Sequence, residues 1–221
     1  MVNVQTLELS SQTDAAYDAL KRRIRTCEIL PGARITEKQL AQELGYGKTP
    51  VREALARLVS ENFVRVIPRS GYQVTTLTLR DFEEIFAASR IVWPAMMALA
   101  AERSSTDDVK QLRAQTNRQA DNWIEEAHLF LQAAANATGN QRLAEISMRL
   151  YDEMERFFSL ALRFQSLPPW KLEMEERIFD AFLRRDTTEV AQRVAELIEL
   201  MYQDFLEILR SLPSILDTPL A

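Results

Sequence analysis

The chain has 221 residues, a formal charge of −5, 47% hydrophobic and 27% charged residues, the balance of a soluble globular protein with one large domain or a small one followed by a larger one. No run of about 18 apolar residues suits a membrane span. Residues 1–11 lack a basic segment followed by an apolar one, so no secretory signal is read there. The single cysteine, Cys27, excludes an internal disulfide and fits a reducing cytoplasm, and only five glycines argue for helices over a turn-rich β chain. Charge is divided unevenly: residues 1–77 hold eleven Lys/Arg against eight Asp/Glu, and residues 78–221 hold sixteen against twenty-four. A basic part joined to an acidic part suggests that the first meets a polyanion.

Residues 13–28 read as a helix with Tyr17, Leu20, Ile24 and Cys27 on one face, Cys27 filling core, and Leu30-Pro31-Gly32 ends it. Thr36 followed by Gln39 is a capping pattern that starts a short helix to Leu44, stopped by Gly45. A second helix opens at Thr49 as N-cap with Pro50 in the first helical position, and ends near Glu61-Asn62. Val51, Leu55, Leu58 and Val59 form its apolar face, while Lys48, Thr49 and Arg52 gather at its start. That end offers exposed N–H groups and a positive dipole to phosphate, and an arginine that can reach a guanine edge. Phe63 to Ile67 and Tyr72 to Thr75 read as a hairpin with a basic tip at Arg69. Helix, helix–turn–helix and hairpin in this order make a winged helix, whose second helix enters the major groove. The alternative for residues 36–75 is a small interaction module with solvated basic residues.

Val74 to Leu77 serves as a linker, and the remainder reads as six helices. Thr78 caps the first, which carries Phe82, Ile85, Phe86, Ser89, Trp93, Met96 and Ala100 inward, with a kink at Pro94. Others are expected from Ser105 or Thr106 to Asp121, over 122–138, 140–164 (Leu143, Ile146, Leu150, Met154 and Phe157 on one face), 170–185 and 188–210. Leu167-Pro168-Pro169 breaks the chain, an Asp186…Glu189 pair caps the last helix, and 211–221 is a loose tail. The expected fold is therefore mainly α: a winged helix-turn-helix over 1–77 and an all-helical bundle over 78–221, large enough for a ligand cavity.

Several motifs fall in one order and spacing: Leu30-Pro31-Gly32, Glu37…Leu40-Ala41, Thr49-Pro50-Val51-Arg52-Glu53-Ala54-Leu55, Leu58 and Arg69-Ser70-Gly71-Tyr72. On these the chain resembles the GntR family of bacterial transcription regulators, in its FadR-type branch. The resemblance implies DNA contacts at Lys38, Lys48, Thr49, Arg52 and wing Gly71, beside the basic Arg69. Lys48 stands where arginine is usual and Gly47 where serine is, which replaces a two-pronged donor by a point charge. It also implies an all-helical effector-sensing domain, which in many relatives binds a metal through one Asp and three His. Those positions fall here on Ala127, Leu131, Glu175 and Leu197, so no metal and no other cofactor is carried over. A chain with one His and one Cys cannot assemble the usual nitrogen and sulfur shell of a transition metal.

Leu131 and Leu197 continue apolar stripes, whereas Glu175 lies in the run Leu172, Glu175, Phe179, Phe182. Either it reaches solvent at a rim, or it faces inward and needs a partner or a proton. Arg90 and His128 are its candidate partners, and Arg90, Trp93, His128, Leu131, Glu175 and Leu197 form the expected effector pocket. The resulting reading is a cytoplasmic homodimer that binds a short palindromic operator, as a repressor, under control of a neutral, apolar or cationic effector. The competing readings are a small-molecule-binding bundle whose winged helix makes protein contacts, and an enzyme. The last is disfavoured because no phosphate loop, metal cluster or nucleophile–His–acid set stands out.

Overall fold

The computed structural model describes residues 4–105, 123–163 and 171–211. The helix expected from 105 or 106 to Asp121, the 167–169 break and most of the expected tail lie outside them. The chain divides into two compact units, Met1–Leu77 and Thr78–Ala221.

In the first unit, α1 (Val4–Arg25), β1 (Arg34–Ile35), α2 (Glu37–Leu44), α3 (Lys48–Ser60), β2 (Val64–Ile67) and β3 (Gly71–Val74) make a winged helix. Its core is the apolar face of α3 (Val51, Ala54, Leu55 and Leu58) closed by Leu20 and Ile24 of α1, Leu40 of α2 and Val64 and Val74 of the hairpin. Polar links pin α1 to α3 at the edge. Tyr17 Oη donates to both Glu61 carboxylate oxygens at 2.6 and 2.8 Å, and the Arg57 guanidinium lies 3.7 Å from the centre of the Tyr17 ring.

The boundaries correct three expectations. First, α1 begins well before residue 13 and ends at Arg25, so buried Cys27 sits beyond it at φ 52°, in the left-handed region, while still filling core. Second, the N-cap of α3 is Gly47, and no side-chain cap bond is made there. Thr49 and Pro50 thus lie inside the first turn, where a missing N–H costs nothing because that group has no helical acceptor. Third, the two-residue β1 pairs with β3, giving a three-stranded antiparallel sheet in the order β1-β3-β2, with Ile35 opposite Tyr72 and Val66 opposite Tyr72 on the other side. A strand of two residues carries no alternation for sequence to reveal. The Thr36 cap, accepting from Gln39 N at 3.2 Å, and Gly45 at φ 72° close α2 as its sequence requires.

In the second unit, α4 (Leu79–Arg103), α5 (Trp123–Ala137), α6 (Gln141–Ala161), α7 (Lys171–Arg184) and α8 (Thr187–Ser211) pack around an aromatic core. Thr78 and Asp81 cap α4 reciprocally, Asn140 caps α6, and Asp186 accepts from Glu189 N to cap α8. Phe82 sits 4.5 Å from Phe86 and 5.4 Å from Phe157, ring centre to ring centre, and Phe158 lies 4.3 Å from Phe205. By length and composition α4 suits a membrane span, but Phe82, Phe86, Trp93, Met96 and Met97 are buried inside the bundle, as in the core helix of a water-soluble protein. It continues through Pro94. The buried face of α6 runs through Ser147, Tyr151, Met154 and Phe158; Ile146, expected inward, is 51% exposed.

Gly71 sets the geometry of the wing. Its φ is +91°, and a Cβ there would meet the Ile35 carbonyl oxygen at 2.7 Å. Gly71→Ala should therefore destabilise the winged helix by about 1–3 kcal/mol. Chemical denaturation checks this; an unchanged transition would show that the β1–β3 approach tolerates a side chain.

Candidate functional site

The expected cations stand at the starts of two helices and on the hairpin turn. Lys48, Thr49 and Arg52 stand in the first turns of α3 and Lys38 in the first turn of α2, all exposed. Arg69 projects from the exposed hairpin turn at φ 64°. Gly71, expected as a contact residue, has in addition the steric role described above.

Arg52 is held in one geometry. Its Nε donates to both Glu37 carboxylate oxygens at 3.0 and 3.1 Å, and its Nη2 donates to Oε2 at 2.9 Å. Tyr72 Oη, from the hairpin, donates to the same carboxylate at 3.2 Å. The Arg52 hydrogen bonds hold Glu37 below the usual carboxylate range, with Tyr72 adding to the effect. Burial, then the charge of Glu37, pushes the Tyr72 phenol up. Glu37 thus ties the start of α2 to the start of α3 and to the wing, and Arg52 remains 61% exposed. Glu37 is absent from the expected site: it stands in the family motif Glu37…Leu40-Ala41, but as an acidic residue in a first turn it reads as a dipole partner.

In the bundle, an apolar cavity of about 110 Å³ is lined by residues of all five helices from α4 to α8. Ala127, Leu131, Glu175 and Leu197, the four positions where metal-binding relatives are expected to hold their ligands, all border it. Trp93 borders it too, buried at 5% exposure, with Glu126 as the second carboxylate.

Two members of the expected pocket fall elsewhere. Arg90 donates from Nε and Nη2 to Glu199 at 3.1 and 2.9 Å and lies 4.4 Å from the Tyr202 ring centre, so it braces α4 against α8 and does not line the cavity. Its helical position falls on the α8 side, and Glu199 supplies the carboxylate that Glu175 was expected to offer. His128 also lies outside the lining. Its Nδ1 is 3.5 Å from Glu155 Oε2 and 3.8 Å from Asp152 Oδ1, both carboxylates being almost fully buried. One nitrogen and two oxygens within 4.8 Å of one another have the spacing to hold a cation. The signal for it was Asp152 and Glu155 three apart on α6.

The bacterial regulatory proteins of the gntR family match residues 12–74, and the FCD domain matches residues 84–200. The HTH-type transcriptional regulator McbR of Escherichia coli (strain K12) is 29% identical over 160 residues, 72% of this chain and 63% of McbR. The HTH-type transcriptional repressor GlaR of the same organism is 25% identical over 202 residues, 86% of this chain and 90% of GlaR. The solved structure of E. coli McbR/YncC superposes with a TM-score of 0.81 at 25% identity, covering 89% of this chain and 97% of that one. The chain spans less than two thirds of the length of three curated relatives it matches, from 31% to 63%.

The Glu37 linkage has a definite sign. A carboxylate whose folded pKa lies below its unfolded value adds stability above the unfolded pKa and loses it as pH falls through the folded one. Glu37→Gln should therefore lower stability at pH 7, and the deficit should shrink at pH 4, below the ordinary carboxylate value of 4.5. Chemical denaturation at the two pH values decides it; an equal deficit at both would mean that the charge of Glu37 contributes nothing.

Proposed function

The chain belongs to the GntR family of transcriptional regulators, with an FCD domain behind its winged helix, and from that premise we propose that residues 1–77 read an operator and residues 78–221 sense a small molecule and dimerise. The observation that carries the DNA half is the Arg52 guanidinium, exposed at the start of α3 and pre-oriented by Glu37 and Tyr72. A fork already fixed in place loses less conformational entropy on meeting a base edge. Lys48 and Thr49 beside it, and Lys38 and Arg69 flanking it, offer charge and donors for phosphate. Glu37, carrying charge of the same sign as DNA, also disfavours non-specific approach, so its presence supports discrimination more than affinity.

One winged helix covers too little DNA for operator-grade affinity, which supports a homodimer on two half-sites of a short palindrome. Repression is the reading favoured by likeness to GlaR. A cytoplasmic location and the lack of an enzymatic role follow from the same reading. For the effector, the apolar cavity and its two carboxylates, Glu126 and Glu175, favour a neutral, apolar or cationic molecule over a metal-chelated dicarboxylate.

On an operator recovered from a random duplex pool, Arg52→Ala should cost about 1–3 kcal/mol and relax specificity, whereas Lys38→Ala and Arg69→Ala should weaken all duplexes alike and flatten the salt slope by about one each. Gel-shift titrations at two salt concentrations, with matched and scrambled duplexes, separate these outcomes. Arg52→Ala binding as the parent does would overturn the docking, and salt-independent binding would favour protein contacts for the winged helix.

The protein should also retain no stoichiometric zinc, nickel or manganese after dialysis. A full metal complement by elemental analysis would contradict this, and His128→Ala would then show whether the His128, Asp152 and Glu155 group holds it.

A further inference from the structure

We propose that the outward face of α4 is the surface on which two copies of this chain pair, antiparallel and centred on Ile91. This names the interface of the homodimer proposed above and rests on that reading.

The first support is an apolar excess. From Ile85 to Ala101 the one charged residue of α4 is Arg90, which is bonded to Glu199. The inner face, with Phe82, Phe86, Trp93 and Met96, is covered by the bundle, yet fewer than half of the residues in the most apolar stretch are buried. A helix that is apolar all round is ordinarily covered all round. Ile91, at 77%, is the most exposed large hydrophobic side chain among the described residues.

Symmetry is the second support. At about 3.6 residues per turn, Arg80, Glu84, Ala87, Ala95, Ala98 and Glu102 all lie within about 40° of the line through Ile91. All are exposed except Ala98, which is half-buried. In a two-fold pair, a residue that meets a second residue of the other copy is met in return by that copy's own. With Ile91 on the axis, Ala87 faces Ala95, Glu84 faces Ala98 and Arg80 faces Glu102 of the other copy. The stripe is complementary to itself.

Charge then chooses the direction and the occupant. Parallel pairing would set Arg80 against Arg80 and Glu102 against Glu102, whereas antiparallel pairing joins opposite signs at both ends. Arg80 donates to Glu84 within its own helix at 2.7 Å and stays exposed, with further donors for a second carboxylate. The alanines beside Ile91 let two helix axes approach to roughly 8 Å, the close end of helix packing. A lipid surface is the other cover for such a face, and it is disfavoured by the carboxylates of Glu84 and Glu102 within the stripe.

Sedimentation equilibrium of the full-length protein should show a dimer. Ile91→Arg should raise its dissociation constant by roughly 100-fold, with the far-ultraviolet circular dichroism unchanged because the side chain is exposed. Arg80→Glu should weaken the dimer by roughly fivefold, and adding Glu102→Arg to it should restore the parent value. Under oxidation, the double variant A87C/A95C should form a disulfide-linked dimer. Either single variant should not, because antiparallel pairing holds like positions about 12 Å apart along the axis, and neither should the parent, whose Cys27 is buried. Self-linking of Ala87→Cys alone, or a dimer indifferent to Ile91→Arg, would overturn this interface and leave the homodimer reading in place. A monomeric parent would overturn both, and its capture by phosphatidylcholine vesicles would assign the face to a lipid surface.

Discussion

The burial of one face of α3 fixes what the N-terminal unit can present. Val51, Ala54, Leu55 and Leu58 are fully buried against α1, α2 and the hairpin, and rotating the helix by even one position would expose apolar surface worth several kcal/mol. With that face anchored, Lys48, Thr49 and Arg52 have only the solvent side available. The Glu37 carboxylate then orients one of them, Arg52, which it receives together with Tyr72. Core packing thus sets the direction of the recognition face, and a partly exposed ion pair sets the conformation of one side chain on it. Exposed ion pairs contribute little to stability; the physical role of this one lies in orientation.

In the bundle, the positions that the family resemblance assigns to metal ligands carry mostly apolar residues. Four positions expected to hold metal ligands in relatives converge on one cavity, and three of them carry Ala or Leu. The fourth carries Glu175, whose carboxylate borders the same cavity.

Much of this was legible in the sequence, and particular residues show why some was not. The periodic face of α3, the Thr36 and Thr78 caps, Gly45 and the wing turn are local signals that tertiary structure left in place. The start of α3 was misplaced by two residues because Pro50 is equally at home anywhere in a first turn. Convergence of Leu131, Glu175 and Leu197 was readable from family resemblance combined with inward stripes. Arg90 and His128 were misassigned because a helical stripe says which side a residue faces, whereas its partner depends on the neighbouring helix: Glu199 is more than a hundred residues from Arg90 in the chain. Glu37 escaped for the same reason, since its bond to Arg52 spans a turn between two helices.

The central claim is that the exposed end of α3 reads base sequence in duplex DNA as part of a symmetric pair. It is tested most directly by selecting bound duplexes from a random pool with the full-length protein at near-physiological salt, followed by sequencing. The account predicts enrichment of an inverted repeat whose half-site centres lie about one helical turn apart or a multiple of it. Recovery of a pool indistinguishable from the starting one, at a protein concentration that retains DNA, would contradict it.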